Sequence, residues 1–92
     1  RHAVLERQAQ TDALTGVANR RGFGEALTRV TAAQAEPWPL ALLVIDIDHF
    51  KRVNDVHGHA TGDAILQAVA QHVRRVAGEE AIVARMGGEE FF

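Results

Sequence analysis

Apolar positions in the first third of the chain recur with helical spacing. Phe23, Leu27 and Val30 follow one another at intervals of four and three residues, which predicts an amphipathic helix that begins at Gly22 or at the polar residues before it and runs to about residue 35. The Pro-Trp-Pro segment at 37–39 ends this helix, because a residue that precedes proline avoids the helical backbone region. The pattern therefore predicts one surface helix with a single buried face.

The most hydrophobic stretch of the chain covers residues 40–48 (LALLVIDID) and ends in acids. Its length and its β-branched residues predict a strand that is buried on both faces and lies centrally in a sheet. Because side chains alternate along a strand, Asp46 and Asp48 should point to one side and Ile47 to the other. The sequence thus predicts acidic side chains at the carboxyl end of a buried strand.

A short helix is predicted over residues 49–56, directly after these acids. It would turn Phe50, Val53 and Val56 inward. Residues 57–62, which contain two glycines and two histidines, would then form a loop.

A longer helix is predicted over residues 63–77, with Gly78 as its C-cap. Residues 81–86 would form a second strand, Gly87-Gly88 a hairpin turn, and Phe91 would begin a third strand. The apolar stripe of the helix consists of Ile65, Leu66, Val69, Val73 and Val76.

The order of these helices and strands places the chain in the α/β class, as an α+β sandwich with helices on both faces of a mixed sheet. Residues 11–92 would form this domain, with Phe23, Trp38 and Leu66 in its core. Residues 1–10 have the pattern of the end of a signalling helix or linker. They fit either the last turns of a coiled-coil stalk or a frayed terminus.

Composition and charge exclude several classes of protein. The 92 residues are 47% hydrophobic and carry a net charge of −2, so no nucleic-acid-binding surface is indicated. The absence of cysteine excludes disulfides and thiolate metal sites. No signal peptide or bilayer-length apolar run is present, so we expect a cytoplasmic segment without membrane contact. The chain begins with Arg, so we expect it to belong to a longer protein, and a membrane anchor elsewhere in that protein remains open.

Asp46 and Glu89 are the strongest candidates for a metal site. A buried carboxylate without a partner costs roughly several kcal/mol unless a cation compensates its charge. Together with one backbone carbonyl, these two acids would supply the hard oxygen ligands that Mg²⁺ selects. Two alternatives stay open: Asp46 could cap the following helix, and Gly87-Gly88 could be a turn without a ligand.

Four segments of the chain together resemble a known family. They are DALTGVANRR at 12–21, LVIDIDHFKRVND at 43–55, GHATGD at 58–63 and RMGGEEF at 85–91. In order and spacing they are similar to the N-terminal half of a GGDEF domain, the diguanylate cyclase family. Glu89 in place of Asp is an accepted variant of the signature.

The resemblance implies a nucleotidyl-cyclase-like fold and a specific reaction. Members of the family condense two GTP molecules into cyclic di-GMP and release pyrophosphate, in bacterial second-messenger signalling. Each domain would hold one GTP, and two domains would face each other in a homodimer formed through the catalytic face and the N-terminal helix. Mg²⁺ or Mn²⁺ would be the cofactor, and an upstream sensory or receiver domain would supply the input.

The resemblance also implies roles for single residues. Asp46, Glu89 and the backbone carbonyl of Ile47 match the metal ligands. Glu90 matches a signature acid that helps at the metal or deprotonates the attacking hydroxyl. The substrate-binding matches are Leu14 and Gly88 beside the nucleotide, Phe50 and Lys51 at the phosphates, and Asn54 and Asp63 at the guanine base.

Structural roles remain open for several of these residues. Asn54 and Asp63 could each be a helix cap, which is the commoner use of both residue types next to a helix. Asp12 could form a structural ion pair with Arg20 or Arg21 rather than take part in catalysis.

Two departures from the family pattern lead to further expectations. Residues 78–81 (GEEA) lack the Arg and the Asp of an inhibitory product site that many members carry, so we expect no product feedback at that surface. The sequence stops just after the signature hairpin, so we expect a partial domain with weak or absent cyclase activity by itself. The alternative function is a catalytically silent module that binds GTP or a protein partner, and a plain α/β scaffold is the third interpretation.

Overall fold

The computed structural model describes residues 9–33 and 40–92. Helices and a small antiparallel sheet alternate along the chain in the predicted order, which confirms the mixed α/β class. The predictions for residues 1–8 and for Trp38 lie outside the described residues. The elements are α1 (Arg20–Ala32), β1 (Ile45–Asp46), α2 (Phe50–His57), α3 (His59–Ala77) and β2 (Glu90–Phe91).

Helix α1 begins at Arg20, among the polar residues before Gly22 as predicted, because Asn19 caps it. Asn19 has an extended backbone, and its side-chain oxygen accepts a hydrogen bond of 2.8 Å from the backbone amide of Gly22. Such a cap satisfies one of the amides that the first turn of a helix leaves without a partner. Phe23, on the inner face of α1, packs edge-on against Phe92 with ring centroids 5.7 Å apart.

The predicted long central strand is wrong in the described structure, where β1 contains only Ile45 and Asp46. Leu42 and Leu43 were predicted to be buried within a central strand, but they are 63% and 65% exposed. The reason is that a strand is buried by its neighbours, and β2 is the one strand paired with β1 among the described residues. Apolar sequence alone cannot supply those neighbours.

The C-terminal hairpin is confirmed, although it is shorter than predicted. The amide of Met86 donates to the carbonyl of Glu90 at 2.8 Å, and Ala84 and Phe92 exchange two backbone hydrogen bonds of 2.8 and 3.0 Å. The turn therefore spans residues 87–89 rather than the two glycines alone. Residues 81–86, predicted as a full strand, contribute single bridges at Ala84 and Arg85.

Helix α2 matches its prediction, whereas α3 begins earlier than expected. The predicted loop at 57–62 is reduced to one residue, Gly58. Its φ of 90° ends the first helix and changes the direction of the backbone before the second helix begins. Glycine adopts this backbone region without steric cost, so the following residues are free to start a new helix at once. Gly78 is confirmed as the C-cap of α3, with a φ of 89° and its amide bonded to the carbonyl of Arg74.

The core lies between the inner face of α3, the start of α2 and the sheet. Val76, at the end of the predicted stripe, is 72% exposed, and Val56 of α2 is 66% exposed, so both predictions of burial are wrong. No helix in the described ranges is both long and apolar enough to span a membrane. The buried cluster consists of Val17, Phe50, Leu66, Ala70 and Phe91, with Leu14, Ile45, Ile47, Ile65, Val69 and Val83 packed against it.

Candidate functional site

The antiparallel pairing of β1 with β2 brings the predicted acids together. Ile45 pairs with Phe91 and Asp46 pairs with Glu90. The amide of Ile47 donates to the carbonyl of Glu89 at 3.3 Å and so continues the same register beyond the strands. The predicted carboxylates therefore lie on neighbouring backbone segments at one end of the sheet.

Glu90 is the direct cross-strand neighbour of Asp46. Opposed residues of an antiparallel pair share a face, so these two acids lie on one face while Ile45 and Phe91 lie on the other. Phe91 is fully buried and anchors that second face in the core. The predicted metal pair of Asp46 with Glu89 concerns shared coordination of an ion and not cross-strand register, so it stays a prediction beside the observed Asp46–Glu90 pairing.

Among the described residues, no basic side chain forms an ion pair with the acids at this end of the sheet, Asp46, Glu89 and Glu90. Like charges directly opposite each other in an antiparallel pair destabilise it. A bound divalent cation would offset this repulsion.

The chemistry of the donors fits a hard cation such as Mg²⁺. Carboxylate and carbonyl oxygens are the ligands that Mg²⁺ prefers, and this ion usually keeps several waters and takes phosphate oxygens from a substrate. In residues 9–33 and 40–92, no group of three or more His, Cys, Asp or Glu side chains lies close enough to hold a metal ion. A site made of two carboxylates and the Ile47 carbonyl would thus need oxygen ligands from a substrate or water.

The start of α2 has the features of an anion-binding turn. His49, the residue before the helix, has a φ of 58° and makes no side-chain cap. The first turn carries no acid, and it contains the exposed bases Lys51 and Arg52. Positive charge at a helix N-terminus opposes the helix dipole unless an anion lies nearby. Buried Phe50 anchors this turn in the core.

Asn54 and Asp63 are not helix caps, so that alternative is wrong for both. Asn54 lies inside α2 and Asp63 inside α3. The Asn54 oxygen Oδ1 is buried and has no hydrogen-bond partner among the described residues. An unsatisfied buried oxygen costs about 1–3 kcal/mol, so its retention in a folded protein requires a reason. Asp63 is exposed and follows Gly62, which contacts the Asn54 amide.

Gly88 and Leu14 occupy different environments. Gly88 is exposed, and a Cβ added there would meet no atom within 4 Å. Leu14 is half-buried against the core cluster that also contains Phe50, and its carbonyl accepts a hydrogen bond of 3.1 Å from Gln67. Leu14 is therefore held by the core, while the space beside Gly88 is open.

Arg85 is a structural residue of the site that the sequence analysis missed. Its Nε and Nη2 atoms donate to the carbonyl of Gly88 at 3.1 and 2.9 Å. Its Nη1 atom donates to both carboxylate oxygens of Asp12 at 3.2 and 3.3 Å. One guanidinium thus ties the glycine turn to the segment before α1. Its position directly before Met86-Gly87-Gly88 was the available signal.

The ion pair predicted for Asp12 exists, but the predicted partner is wrong. Asp12 pairs with Arg85, and both side chains are 19% exposed. Arg21 pairs instead with Glu25 within α1, and Arg20 donates to the carbonyl of Met86 at 3.2 Å. Proximity in sequence favoured the wrong arginines, because the fold brings Arg85 beside Asp12.

The pKa of the Asp12 carboxyl lies below its usual value of 3.8, as the balance of opposing effects. Burial raises the pKa of this carboxyl. The hydrogen bonds from Thr15 and the charge and hydrogen bond of Arg85 lower the pKa by more than burial raises it. The Thr15 hydroxyl donates at 2.7 Å and its backbone amide at 2.9 Å. Asp12 is therefore held ionised by the turn that it organises.

Two concavities in the described structure lie apart from the acids. One, of about 340 Å³, is lined by the segment before α1, the last turn of α3 and the residues that follow it, including Gly16, Arg74 and Glu79. The other runs along the polar face of α1. Neither is lined by any predicted site residue, since those residues lie at an open strand end and helix start.

Comparison with known proteins identifies a protein family for this chain. A family model described as "Diguanylate cyclase, GGDEF domain" matches residues 9–92. The chain is 43% identical over 84 residues to the probable diguanylate cyclase DgcF of Escherichia coli (strain K12), covering 91% of this chain and 26% of DgcF. It is 40% identical over 91 residues to the cyclic di-GMP phosphodiesterase NbdA of Pseudomonas aeruginosa, covering 98% of this chain and 12% of NbdA.

A solved structure agrees with these matches. The coiled coil and GGDEF domain of DgcB from Caulobacter crescentus, in complex with c-di-GMP, superimposes with a TM-score of 0.81 at 39% identity. The match covers 98% of this chain and 48% of that chain. The chain thus spans about a quarter or less of the length of the two curated relatives, and about half of the solved one.

Proposed function

This chain belongs to the diguanylate cyclase, GGDEF domain family, and from that premise we propose that it provides the nucleotide- and metal-binding half of a cyclase site. The reaction joins two GTP molecules into cyclic di-GMP and releases two pyrophosphates. The observation that carries the proposal is the pairing of β1 with β2, which sets Asp46 and Ile47 beside Glu89 and Glu90.

Asp46, Glu89 and the Ile47 carbonyl would hold the metal, Mg²⁺ or Mn²⁺. When bound, such a cation neutralises charge on the triphosphate and makes the 3′-hydroxyl easier to deprotonate. Glu90 is exposed and lies opposite Asp46, which supports the proposal that it accepts the proton of that hydroxyl or assists the metal.

The remaining residues would bind and orient one GTP. The uncapped start of α2, with Phe50 and Lys51, would receive the β- and γ-phosphates on its backbone amides. Asn54 and Asp63 would hydrogen-bond the guanine edge, with Leu14 beside the base. The open space at Gly88 would let the nucleotide approach the backbone closely.

One such site holds one of the two substrates, so the proposed reaction needs two chains. Each 3′-hydroxyl would attack the α-phosphate of the GTP held by the facing chain, which makes a homodimer the working unit. An upstream sensory or receiver domain in the cytoplasm would set how the two chains face each other. Such positioning converts an encounter of two substrates into a reaction between fixed groups.

A silent binding module is the second candidate, and one relative favours it. NbdA, named as a cyclic di-GMP phosphodiesterase, contains a stretch that is 40% identical to this chain. A domain of this family can therefore occur in a protein named for the opposite reaction. In that case the chain would bind GTP or a protein partner without joining two nucleotides.

A single comparison of variants tests the cyclase proposal. Full-length protein is incubated with GTP and Mg²⁺, and cyclic di-GMP is quantified for the wild type, Glu89→Ala and Glu80→Ala. Glu80 is an exposed acid outside the site and serves as the matched control. We expect Glu89→Ala to lose about 100-fold or more in rate, as removal of groups that stabilise transition-state charge typically does, and Glu80→Ala to match the wild type. Saturable GTP binding without product from the wild type would support the silent module instead.

A further inference from the structure

Gly62 is a glycine that its backbone does not require. It lies in the first turn of α3 and is buried. Its φ is outside the left-handed region. Among the described glycines, those with a positive φ are Gly16, Gly58 and Gly78. Helix propensity favours alanine at such a position. A reason other than backbone conformation must therefore account for the glycine.

The missing side chain leaves space that Asn54 occupies. A Cβ built on Gly62 would overlap the Asn54 oxygen Oδ1 and would lie 2.8 Å from its Cγ atom. The ring of Phe50, at 3.3 Å from the same point, blocks the adjacent direction. Because Cγ itself is too close, rotation of the terminal amide alone does not relieve the overlap, and the whole Asn54 side chain must swing away.

We propose that Gly62 is a positioning residue for the recognition of guanine. Because Gly62 has no Cβ, the Asn54 amide of α2 can pack against the backbone of α3 next to Asp63. The two side chains that would read the base are thereby held at a fixed position relative to each other. This inference rests on the proposed function, since it assumes that Asn54 reads the base. It adds a specificity determinant that contacts no nucleotide.

The test measures base selectivity, which a loss of folded protein does not change. Dissociation constants for GTP and for ATP are measured with full-length wild type, Gly62→Ala, Asn54→Ala and the double variant. We expect the preference for GTP over ATP to fall about ten-fold or more in Gly62→Ala, as expected when a hydrogen-bonding group is withdrawn from a substrate. The preference for GTP over ATP should fall by a similar factor in Asn54→Ala, and it should fall no further in the double variant.

Two glycines of a different helix, Gly22 and Gly24 of α1, give matched controls. Gly24→Ala places a methyl group where no atom lies within 4 Å, so selectivity and melting temperature should both be kept. Gly22→Ala drives a methyl group into the backbone of Gln10, whose carbonyl carbon lies 3.0 Å from the position that the new Cβ would take. That variant should lower the melting temperature and leave the preference for GTP unchanged, which separates a packing defect from a loss of positioning.

Thermal stability provides a second readout. Gly62→Ala should melt lower than the wild type, and removal of the Asn54 side chain in the double variant should restore part of that loss. If Gly62→Ala keeps the wild-type preference for GTP, the inference about Gly62 is overturned and the proposed function is not affected. A double variant with an additive loss would also overturn this inference, because Gly62 would then act through another residue. A wild type without any preference for GTP would instead refute the proposed function.

Discussion

Single residues with unused bonding capacity mark this site more clearly than either of the two concavities found among the described residues. Asp46 and Glu90 face each other without a compensating cation in the described structure, and the Asn54 oxygen is buried without a partner. Each arrangement costs free energy unless a ligand is bound. Folded proteins tolerate such local costs mainly where function requires them.

Gly88 allows a prediction at the scale of one methyl group. Since a Cβ there would meet no protein atom within 4 Å, Gly88→Ala should leave the melting temperature nearly unchanged. If the nucleotide lies against this backbone, the added methyl group should raise the KM for GTP by about ten-fold, the effect of a small steric misfit in a binding site. Steady-state kinetics and thermal melting measure the two quantities, with Gly24→Ala as the control. An unchanged KM would show that the nucleotide does not approach Gly88.

At the scale of elements, Arg85 connects the glycine turn to the segment before α1. Its flat guanidinium donates to the Gly88 carbonyl and to Asp12 at once, an arrangement that a lysine cannot reproduce. The short strands β1 and β2 supply little pairing of their own. Arg85 therefore helps to position the hairpin that carries Glu89 and Glu90, together with the backbone hydrogen bonds between Ala84 and Phe92.

Arg85→Lys should weaken both the fold and the site. Breaking a partly buried charged pair should cost about 1–3 kcal/mol of unfolding free energy, given the charge-assisted hydrogen bonds that are lost. Urea denaturation measures that loss, and the rate of cyclic di-GMP synthesis should fall because the glycine turn is no longer held. Arg29→Lys, at an exposed position near the end of α1, is the matched control. Equal stability of Arg85→Lys and the wild type would contradict the role of the guanidinium.

Asp12 leads to a prediction for the dependence of stability on pH. Its pKa is lower in the folded state than the usual 3.8, so its contribution to stability is complete above the unfolded value and is lost as pH falls through the folded value. Urea midpoints of the wild type and Asp12→Asn should therefore differ most at neutral pH and converge below about pH 3.8. Asp55→Asn, an exposed acid of α2, controls for general charge effects. A difference that stays constant as the pH falls well below that value would be the contrary result.

At the scale of the whole molecule, the chain has a well-formed core and an incompletely covered apolar segment. Leu42, Leu43 and Val44 are each more than half exposed, although they precede the acids directly. The buried cluster, in contrast, joins residues from Val17 to Phe91. The site acids thus lie between a packed region and an open one.

The 92-residue chain by itself should therefore show little cyclase activity. Its site would hold the metal and one GTP, but the apolar segment before β1 is exposed, and β2 is the one strand paired with β1 among the described residues. Cyclic di-GMP formation is compared between this chain and the full-length protein at equal molar concentration. Far-ultraviolet circular dichroism checks that the short chain has the helix content expected from α1, α2 and α3. Vigorous synthesis by the short chain would disprove the prediction.

How much could be predicted depended on the range of the interactions involved. The helix after the acids, the glycine cap of α3 and the C-terminal hairpin follow from local spacing and turn residues, and all were confirmed. The long strand over residues 40–48 was wrong, because its burial depends on neighbouring strands rather than on its own composition. Helix α3 started early because a single glycine can separate two helices.

The sequence by itself determined the family, the candidate acids and the local helix and turn signals, because motifs and periodicity are properties of neighbouring residues. Tertiary structure alone decided that Glu90 lies opposite Asp46, that Arg85 pairs with Asp12 across 73 positions, and that Gly62 makes room for Asn54. Register and long-range contact are set by how elements pack, and one strand slipped by one residue would bring a different residue opposite Asp46.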